Sequence, residues 1–343
     1  MPAKLHIALI ADPEIPVPPV YYGGIERIID LLIRGLKKNG HEITLFAHKD
    51  SVTAADCFFG YSAANQSVAG LFKNTFLVSK LLLKKPDVIH SFGRLAYLSA
   101  LLPTSVPKIM SYQREPTVSQ VKKAIKIAAK NSMYFTGCSD YITNQIKPFA
   151  PASTVYNAVS LEDYQFKEEV QTDAPLVFLG RIEPIKGVHL AIKVAQQAGR
   201  KLVIAGNVPA NAKTYFDLEI APFIDQKNIC YIGPVNNQHK NELLGNAAAL
   251  LMPIEWNEPF GIVMAEALAC GTPVIAFERG AAKEIVINGT NGWLCRTIPD
   301  MVNAVARLHI ISRKACRKDA GLRFSEAVLT KNFEELYFRL AKN

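Results

Sequence analysis

Two glutamates eight residues apart, Glu258 and Glu266, stand in the run Glu258-Pro259-Phe260-Gly261-Ile262-Val263-Met264-Ala265-Glu266-Ala267-Leu268-Ala269-Cys270-Gly271. Carboxylates accept hydrogen bonds from hydroxyls. Pro259 suits a first helical position, where its missing N–H is not needed, and Gly271 suits a left-handed exit. The spacing therefore predicts a helix over residues 259–270. At roughly 1.5 Å and 100° per residue, a helix would part the two acids by about 12 Å and a quarter turn. One carboxylate then sits at the helix mouth and the other further along an adjacent face. Apolar runs at 248–253 and 272–277 read as buried strands on either side. A helix entered from a strand through a glycine loop binds anions with its first backbone N–H groups, here near Phe260 and Gly261. Hydroxyl acceptors at two ends with an anion site between them match a nucleoside diphosphate sugar. Two solvated glutamates on an exposed face are the plainer alternative.

Arg181 closes an apolar run at 176–181, and Lys186 with Gly187 opens a helix predicted over 188–198. A guanidinium fork and an ammonium point charge at one strand-to-helix crossover can meet one diphosphate; either alone reads as surface charge. Gly206 follows a strand-like run at 202–207, and Gly233 one at 229–235.

The elements that must position these groups alternate along the chain. Residues 4–11 form a strand-like run, followed by a Pro-rich loop at 12–19 and Tyr21-Tyr22-Gly23-Gly24. A helix over 25–39 has Ile25, Ile28, Ile29, Leu32 and Leu36 on one face and stops at Gly40, and a strand follows at 41–47. That is a β-α-β unit with glycines at its first turn, where a backbone must approach a ligand closely; a plain flexible turn is the equal alternative. It is not a G-x-G-x-x-G fingerprint, which argues against a nicotinamide dinucleotide. Strands are further predicted at 87–92, 108–112 and 134–138, and Ser139 caps a helix through Lys147. Residues 148–163 read as a linker threading one strand. The tail, 325–343, reads as a helix with Phe333, Leu336, Tyr337 and Leu340 on one stripe. At 343 residues the chain is about twice the usual domain length. Alternation in both halves predicts an α/β protein of two doubly wound parallel sheets. Ligands bind beyond the C-terminal strand ends of such sheets.

The net charge of +9 is unevenly distributed: residues 66–150 carry 12 basic and 3 acidic side chains and supply all of it. A helix over 71–85 sets Leu71, Phe72, Phe76, Leu77, Leu81 and Leu82 against Lys73, Lys80, Lys84 and Lys85. A second, over 121–130, presents Lys122, Lys123, Lys126 and Lys130 on one face. A solvated face is the default, and contact with an anionic membrane surface the sharper reading. Nucleic acid is disfavoured, because no stacking aromatics interleave these charges. No run of 18 apolar residues occurs, and no charged-then-apolar leader precedes the first strand. These features predict a cytoplasmic chain, peripheral at most to the inner face of a membrane. Six scattered cysteines without a C-x-x-C pair read as reduced structural thiols.

Four stretches carry a family resemblance: Tyr-Gly-Gly-Ile-Glu-Arg (22–27), Gly-Arg-Ile-Glu-Pro-Ile-Lys-Gly (180–187), the run 258–276 and Asn-Gly-Thr-Asn-Gly-Trp-Leu (288–294). The chain resembles a retaining glycosyltransferase of family 4 over nearly its whole length. The resemblance implies the GT-B fold, two Rossmann-like domains facing a central cleft. The first, 1–157, would take the acceptor and the second, 158–324, the nucleotide sugar, with a final helix, 325–343, crossing back. It implies that Arg181 and Lys186 hold the donor diphosphate. Glu258 would contact the donor sugar, helped by backbone N–H groups of Phe260, Gly261 and Ile262. Glu266 would bind the ribose, the turn from Gly233 to Val235 the base, and Gly24 would approach the phosphate; Gly206 lines the same strand ends. Two departures stand out. Relatives often end the fourth strand on a second histidine where this chain has His90-Ser91-Phe92, and Asn157-Ala158-Val159 replaces an interdomain Asn-Gly-Val. His90, Phe92 and Arg114 are weak acceptor-side candidates, with a buried structural His90 the alternative.

No Asp-x-Asp is present to hold a metal on a diphosphate, so the expectation is a metal-free, cofactor-free transfer with cations stabilising the leaving group. No second carboxylate is placed for a covalent glycosyl intermediate, which favours front-face attack. Uridine is the favoured base, and the acceptor a hydroxyl compound, lipid-linked or part of a cell-envelope glycan. A sugar-nucleotide epimerase or hydrolase with a similar cleft, and a non-catalytic basic membrane-binding protein, are the rival readings.

Overall fold

The computed structural model describes residues 4–19, 23–62 and 67–342; Tyr21 and Tyr22 of the first-turn motif lie outside them. The chain divides into two units, Met1–Ala158 with Glu326–Asn343, and Val159–Ser325.

The first unit is built on seven strands: β1 (His6–Ile10), β2 (Glu42–His48), β3 (Cys57–Tyr61), β4 (Val88–Ser91), β5 (Lys108–Tyr112), β6 (Met133–Gly137) and β7 (Ala152–Thr154). They lie in the order β3-β2-β1-β4-β5-β6-β7, all parallel. Order reverses between β1 and β4, the topological switch point. β3 was not predicted. Every residue of β4 and β5 is buried, as expected of a parallel sheet covered on both faces. The helix Gly24–Lys38 buries Ile28, Ile29, Leu32 and Leu36. Its Gly35 leaves room for Thr330 of the last helix, where a Cβ would come within 1.9 Å of Oγ1. That last helix, Glu326–Ala341, buries Phe333, Leu336, Tyr337 and Leu340 in this unit.

The predicted 71–85 helix is corrected in both length and face. It is a helix Val68–Ser79 followed after Lys80 by a short one, Leu81–Lys84. Gly70, Asn74, Val78 and Leu81 are the buried residues, while Phe72 and Phe76 are each 72% exposed. The small Gly70 and the polar Asn74 lie on the packed side, so the aromatic pair is turned to the outside with Lys73 and Lys80. The second basic helix is Val118–Ile127. The helix capped by Ser139 is one short turn, Asp140–Thr143.

The second unit carries β8 (Leu176–Leu179), β9 (Leu202–Ala205), β10 (Ile229–Tyr231), β11 (Ala249–Met252), β12 (Val274–Phe277) and the unpredicted β13 (Gly292–Cys295). They run in the order β10-β9-β8-β11-β12-β13, again all parallel. The helix Val188–Gln197 packs its buried Val188, Ala191, Ile192, Val194 and Ala195 into the core on one side of this sheet. All six cysteines are free thiols. Among the described residues no helix is long and apolar enough to cross a membrane.

Candidate functional site

In the second unit the helix after β11 runs Ile262–Ala269, so it starts later than the predicted 259. Gly261 is the reason: at φ +77° it is left-handed and cannot continue a helix. A Cβ there would also press on Met264 Cε at 2.6 Å and Glu258 Cγ at 3.1 Å. Pro259 therefore lies in the loop, and Glu258 stands ahead of the helix rather than on it. The far end agrees with the sequence: Gly271 is left-handed, its N–H bonds Leu268 O (2.9 Å), and Thr272 N–H bonds Ala267 O (2.8 Å). That pair closes the helix in a Schellman motif.

Three glycines fix loops beyond the strand ends of this sheet, two of them against the loop that carries Glu258. Gly187 (φ +74°) lies against β11's continuation, where a Cβ would meet Pro253 O at 1.9 Å, and Glu255 N–H bonds Ile185 O at 2.8 Å. The loop carrying Lys186 is thereby fixed to the loop carrying Glu258. Gly280 (φ +53°) covers the Glu258 backbone, where a Cβ would lie 2.4 Å from its carbonyl oxygen, and Ala281 N–H bonds that oxygen at 2.9 Å. Gly206 (φ +148°) lets β9 end against Gly180, whose oxygen would be 1.8 Å from a Cβ. Gly233 is also left-handed, but its Cβ position is open.

Lys186 Nζ donates to Glu258 Oε2 at 2.7 Å, and Trp256 Nε1 donates to the same oxygen at 3.0 Å. The ammonium also lies 4.7 Å from the Trp256 ring centroid. Arg181 does not join this pair: its guanidinium binds Glu183 at 3.1 Å. Arg181 and Lys186 each hold a nearer acid, Glu183 and Glu258 respectively. Glu266 is buried on the helix and accepts from Tyr164 Oη at 2.6 Å and from Lys240 Nζ. Lys240 in turn lies 5.4 Å from the Tyr164 ring centroid. Phe260 is buried edge-on against Phe324 (5.6 Å, 80°), which leaves its backbone as the part available to a ligand. Ile262 opens the helix, and Val235, half-buried, precedes the helix Asn237–Gly245.

Sequence reasoning missed Trp256, Tyr164, Lys240, Gly280 and His189. The last donates or accepts at Tyr215 Oη (2.8 Å) and faces Glu255 (3.6 Å), while burial lowers its pKa. Trp256 and His189 had a signal, standing two residues before Glu258 and three after Lys186; Tyr164, Lys240 and Gly280 lie far from these candidates in sequence.

The description Glycosyl transferases group 1 matches residues 161–317, and Glycosyltransferase Family 4 matches residues 22–163. The chain belongs to glycosyltransferase family 4, group 1. As a member of that family it is a hexosyltransferase. It is 22% identical to spore coat protein SA of Bacillus subtilis, over 99% of this chain and 98% of that protein. Among solved structures it is similar to AviGT4, a glycosyltransferase of avilamycin A biosynthesis (TM-score 0.75, 23% identity, 99% of both chains). It is similar also to Anabaena HepE in complex with UDP and glucose (TM-score 0.72, 16% identity, 96% of this chain and 98% of that one). The two sheets are those of a GT-B glycosyltransferase.

In the first unit of this glycosyltransferase, Gly24 opens the helix Gly24–Lys38 with open space at its Cβ position. His90 is a correction to the acceptor-side set. It is fully buried, Nδ1 is hydrogen-bonded to Tyr337 Oη and Nε2 to Ser111 Oγ, both at 2.6 Å. Burial holds its pKa down to about 3. Its ring packs on Phe92 (4.2 Å) and Phe333 (4.8 Å), so it is a core residue with both nitrogens used. Phe92 and Arg114 do line a common cavity of about 580 Å³.

Proposed function

We propose that this glycosyltransferase moves a hexosyl residue from a nucleoside diphosphate sugar, uridine being the favoured base, to a hydroxyl acceptor with retention and without a divalent metal. The Lys186–Glu258 pair carries the reading: an ammonium and a carboxylate 2.7 Å apart, mostly buried, at the loop before a helix N-terminus. Such a pair can exchange partners with a ligand that offers phosphate oxygens to the lysine and sugar hydroxyls to the glutamate. In the donor complex Arg181 leaves Glu183 for the remaining phosphate oxygens, and the backbone N–H groups of Phe260, Gly261 and Ile262 add the partial charge of the helix end. Glu266, oriented by Tyr164 and Lys240, takes a ribose hydroxyl. The turn from Gly233 to Val235 meets the base through its backbone, and Gly206 allows close approach of the main chain. UDP bound to the similar Anabaena HepE supports uridine.

In the chemical step the bond from C1 to the diphosphate oxygen breaks and the acceptor oxygen bonds C1 on the same face. The acceptor proton passes to the departing phosphate oxygen. Arg181 and Lys186 stabilise the charge that develops there, the task a metal performs elsewhere. Glu258 orients the sugar. The acceptor is held by the first unit and is lipid-linked or part of an envelope glycan. The basic window and the exposed Phe72 and Phe76 support its meeting the acceptor at the inner face of an anionic membrane.

A thermal-shift panel of UDP, GDP and ADP with and without Mg2+ tests the donor half. Stabilisation by UDP that does not depend on Mg2+ is expected. A shift that appears only with Mg2+, or with none of the three nucleotides, would overturn it.

A further inference from the structure

We propose that the cavity of the first unit beyond the ends of β4 and β5 binds an anionic amphiphile, its apolar chain against Leu102, Met110 and Ile127 and its charged group at Arg114 and the Tyr112 hydroxyl. Calling this ligand the acceptor rests on the transferase reading; the site itself does not.

The cavity measures about 580 Å³, within the range of small-molecule sites. Phe92, Leu102 and Met110 are buried in its wall, and Ile127, 55% exposed, carries the apolar lining to the surface. Arg94, Arg114 and Lys123 also line it. Tyr112, only 7% exposed, lines the same cavity, and its buried hydroxyl has no hydrogen-bond partner among the described residues. A buried donor without an acceptor costs free energy that a ligand oxygen can recover. Burial pushes the Tyr112 pKa up to about 12, against the charge of Arg114, so the phenol keeps its proton and remains a donor. The acids nearby leave a positive excess. Glu115 lines the cavity but is bonded by Tyr141 Oη, and Asp12 lies within the field of Arg94 and Arg114.

These features select between ligand classes. A neutral sugar makes no use of three cations, and a free phosphate makes no use of the apolar wall. A phosphate or carboxylate on an apolar chain uses both. The helices Val68–Ser79 and Val118–Ile127, which contribute Leu71, Lys123 and Ile127 to the cavity, also carry the outward Phe72, Phe76 and lysines. The lining is thus continuous with the surface proposed to meet the membrane.

Octyl phosphate, octyl glucoside and inorganic phosphate, each below any micellar concentration, can be titrated calorimetrically into the full chain. Octyl phosphate should bind at least about tenfold more tightly than either of the others. Arg114→Gln should weaken it by about tenfold and Tyr112→Phe by about threefold. Ile127→Gln, at an exposed position that the fold tolerates, should weaken octyl phosphate and leave inorganic phosphate unchanged. Circular dichroism checks the fold of each variant. Equal affinity for octyl phosphate and inorganic phosphate, or for octyl phosphate and octyl glucoside, overturns the amphiphile. Binding that all three substitutions leave unchanged lies elsewhere and overturns the site. A UDP thermal shift on the same wild-type preparation separates the two readings. UDP binding without octyl phosphate binding defeats this inference alone. Octyl phosphate binding with no shift for UDP, GDP or ADP defeats the nucleotide-sugar reading and leaves the amphiphile site standing.

Discussion

Lys186 and Glu258 are 72 residues apart in the chain and 2.7 Å apart in space. Each was legible as a candidate from its neighbours: the lysine from the helix it precedes, the glutamate from the Pro-Phe-Gly that follows. Their pairing was not, because it depends on Gly187 resting on Pro253 and Gly280 on the Glu258 backbone. Glu258→Ala and Lys186→Ala should each lower transfer by at least about 10²-fold, while circular dichroism stays that of the wild type. A retained full rate in either would remove the assignment. The pair is also mostly buried, so removing one partner leaves a charge without its counterion. Lys186→Met should therefore destabilise by about 2 kcal/mol, and adding Glu258→Gln should return part of that. Urea unfolding of the two single variants and the double measures the coupling. His90 shows the opposite case. Its place on a strand face was legible, but two buried hydroxyl partners make it part of the core rather than of a ligand site.

Elements differ from their predicted forms where a single residue fixes the backbone or a small residue turns the face. The helix expected from Pro259 begins at Ile262 because Gly261 is left-handed. Gly187 and Gly233 have almost the same φ, +74° and +73°, yet only Gly187 lies against another backbone. Gly233→Ala should cost about 1 kcal/mol, the strain of a left-handed residue. Gly187→Ala should cost about 3 kcal/mol or more, since a carbonyl must also move. Equal losses in chemical denaturation would refute this account of the loop. The helices Val68–Ser79 and Val118–Ile127 carry a separate expectation. Lys122, Lys123 and Lys126 changed together to Gln, or Phe72 and Phe76 changed to Ser, should weaken partitioning onto phosphatidylglycerol vesicles, and added salt should have the same effect. Sedimentation that stays unchanged in both sets would discard the membrane contact.

At the scale of the whole molecule the charge excess belongs to the first unit, and so do Glu26 and His90, two groups whose burial shifts their titration strongly. Glu26, in the first turn of the helix Gly24–Lys38, is buried, and burial with the nearby Asp12 and Glu14 raises its pKa from 4.5 to about 7. The folded chain then holds this proton more tightly than the unfolded chain. Its contribution is fully present below about pH 4.5, falls as pH rises, and is gone above about pH 7. Glu26→Gln should flatten that part of the stability profile and raise the melting temperature at pH 8 relative to the wild type. A parallel profile in the variant would show that another group is responsible. His90 acts in the other direction: held neutral by burial, with its pKa lowered to about 3, it contributes stability that is lost as pH falls below about 6.5.

The sequence by itself determined the two parallel α/β units, the last helix, and the loops in which cations and acids stand. These follow from apolar periodicity and from glycine and proline at turns, which act over a few residues. The tertiary structure alone decided which cation meets which acid, that His90 faces inward, and that the Tyr112 hydroxyl and Arg114 line one cavity with apolar side chains. Those outcomes depend on close packing between segments tens of residues apart, and no local pattern in the chain specifies them.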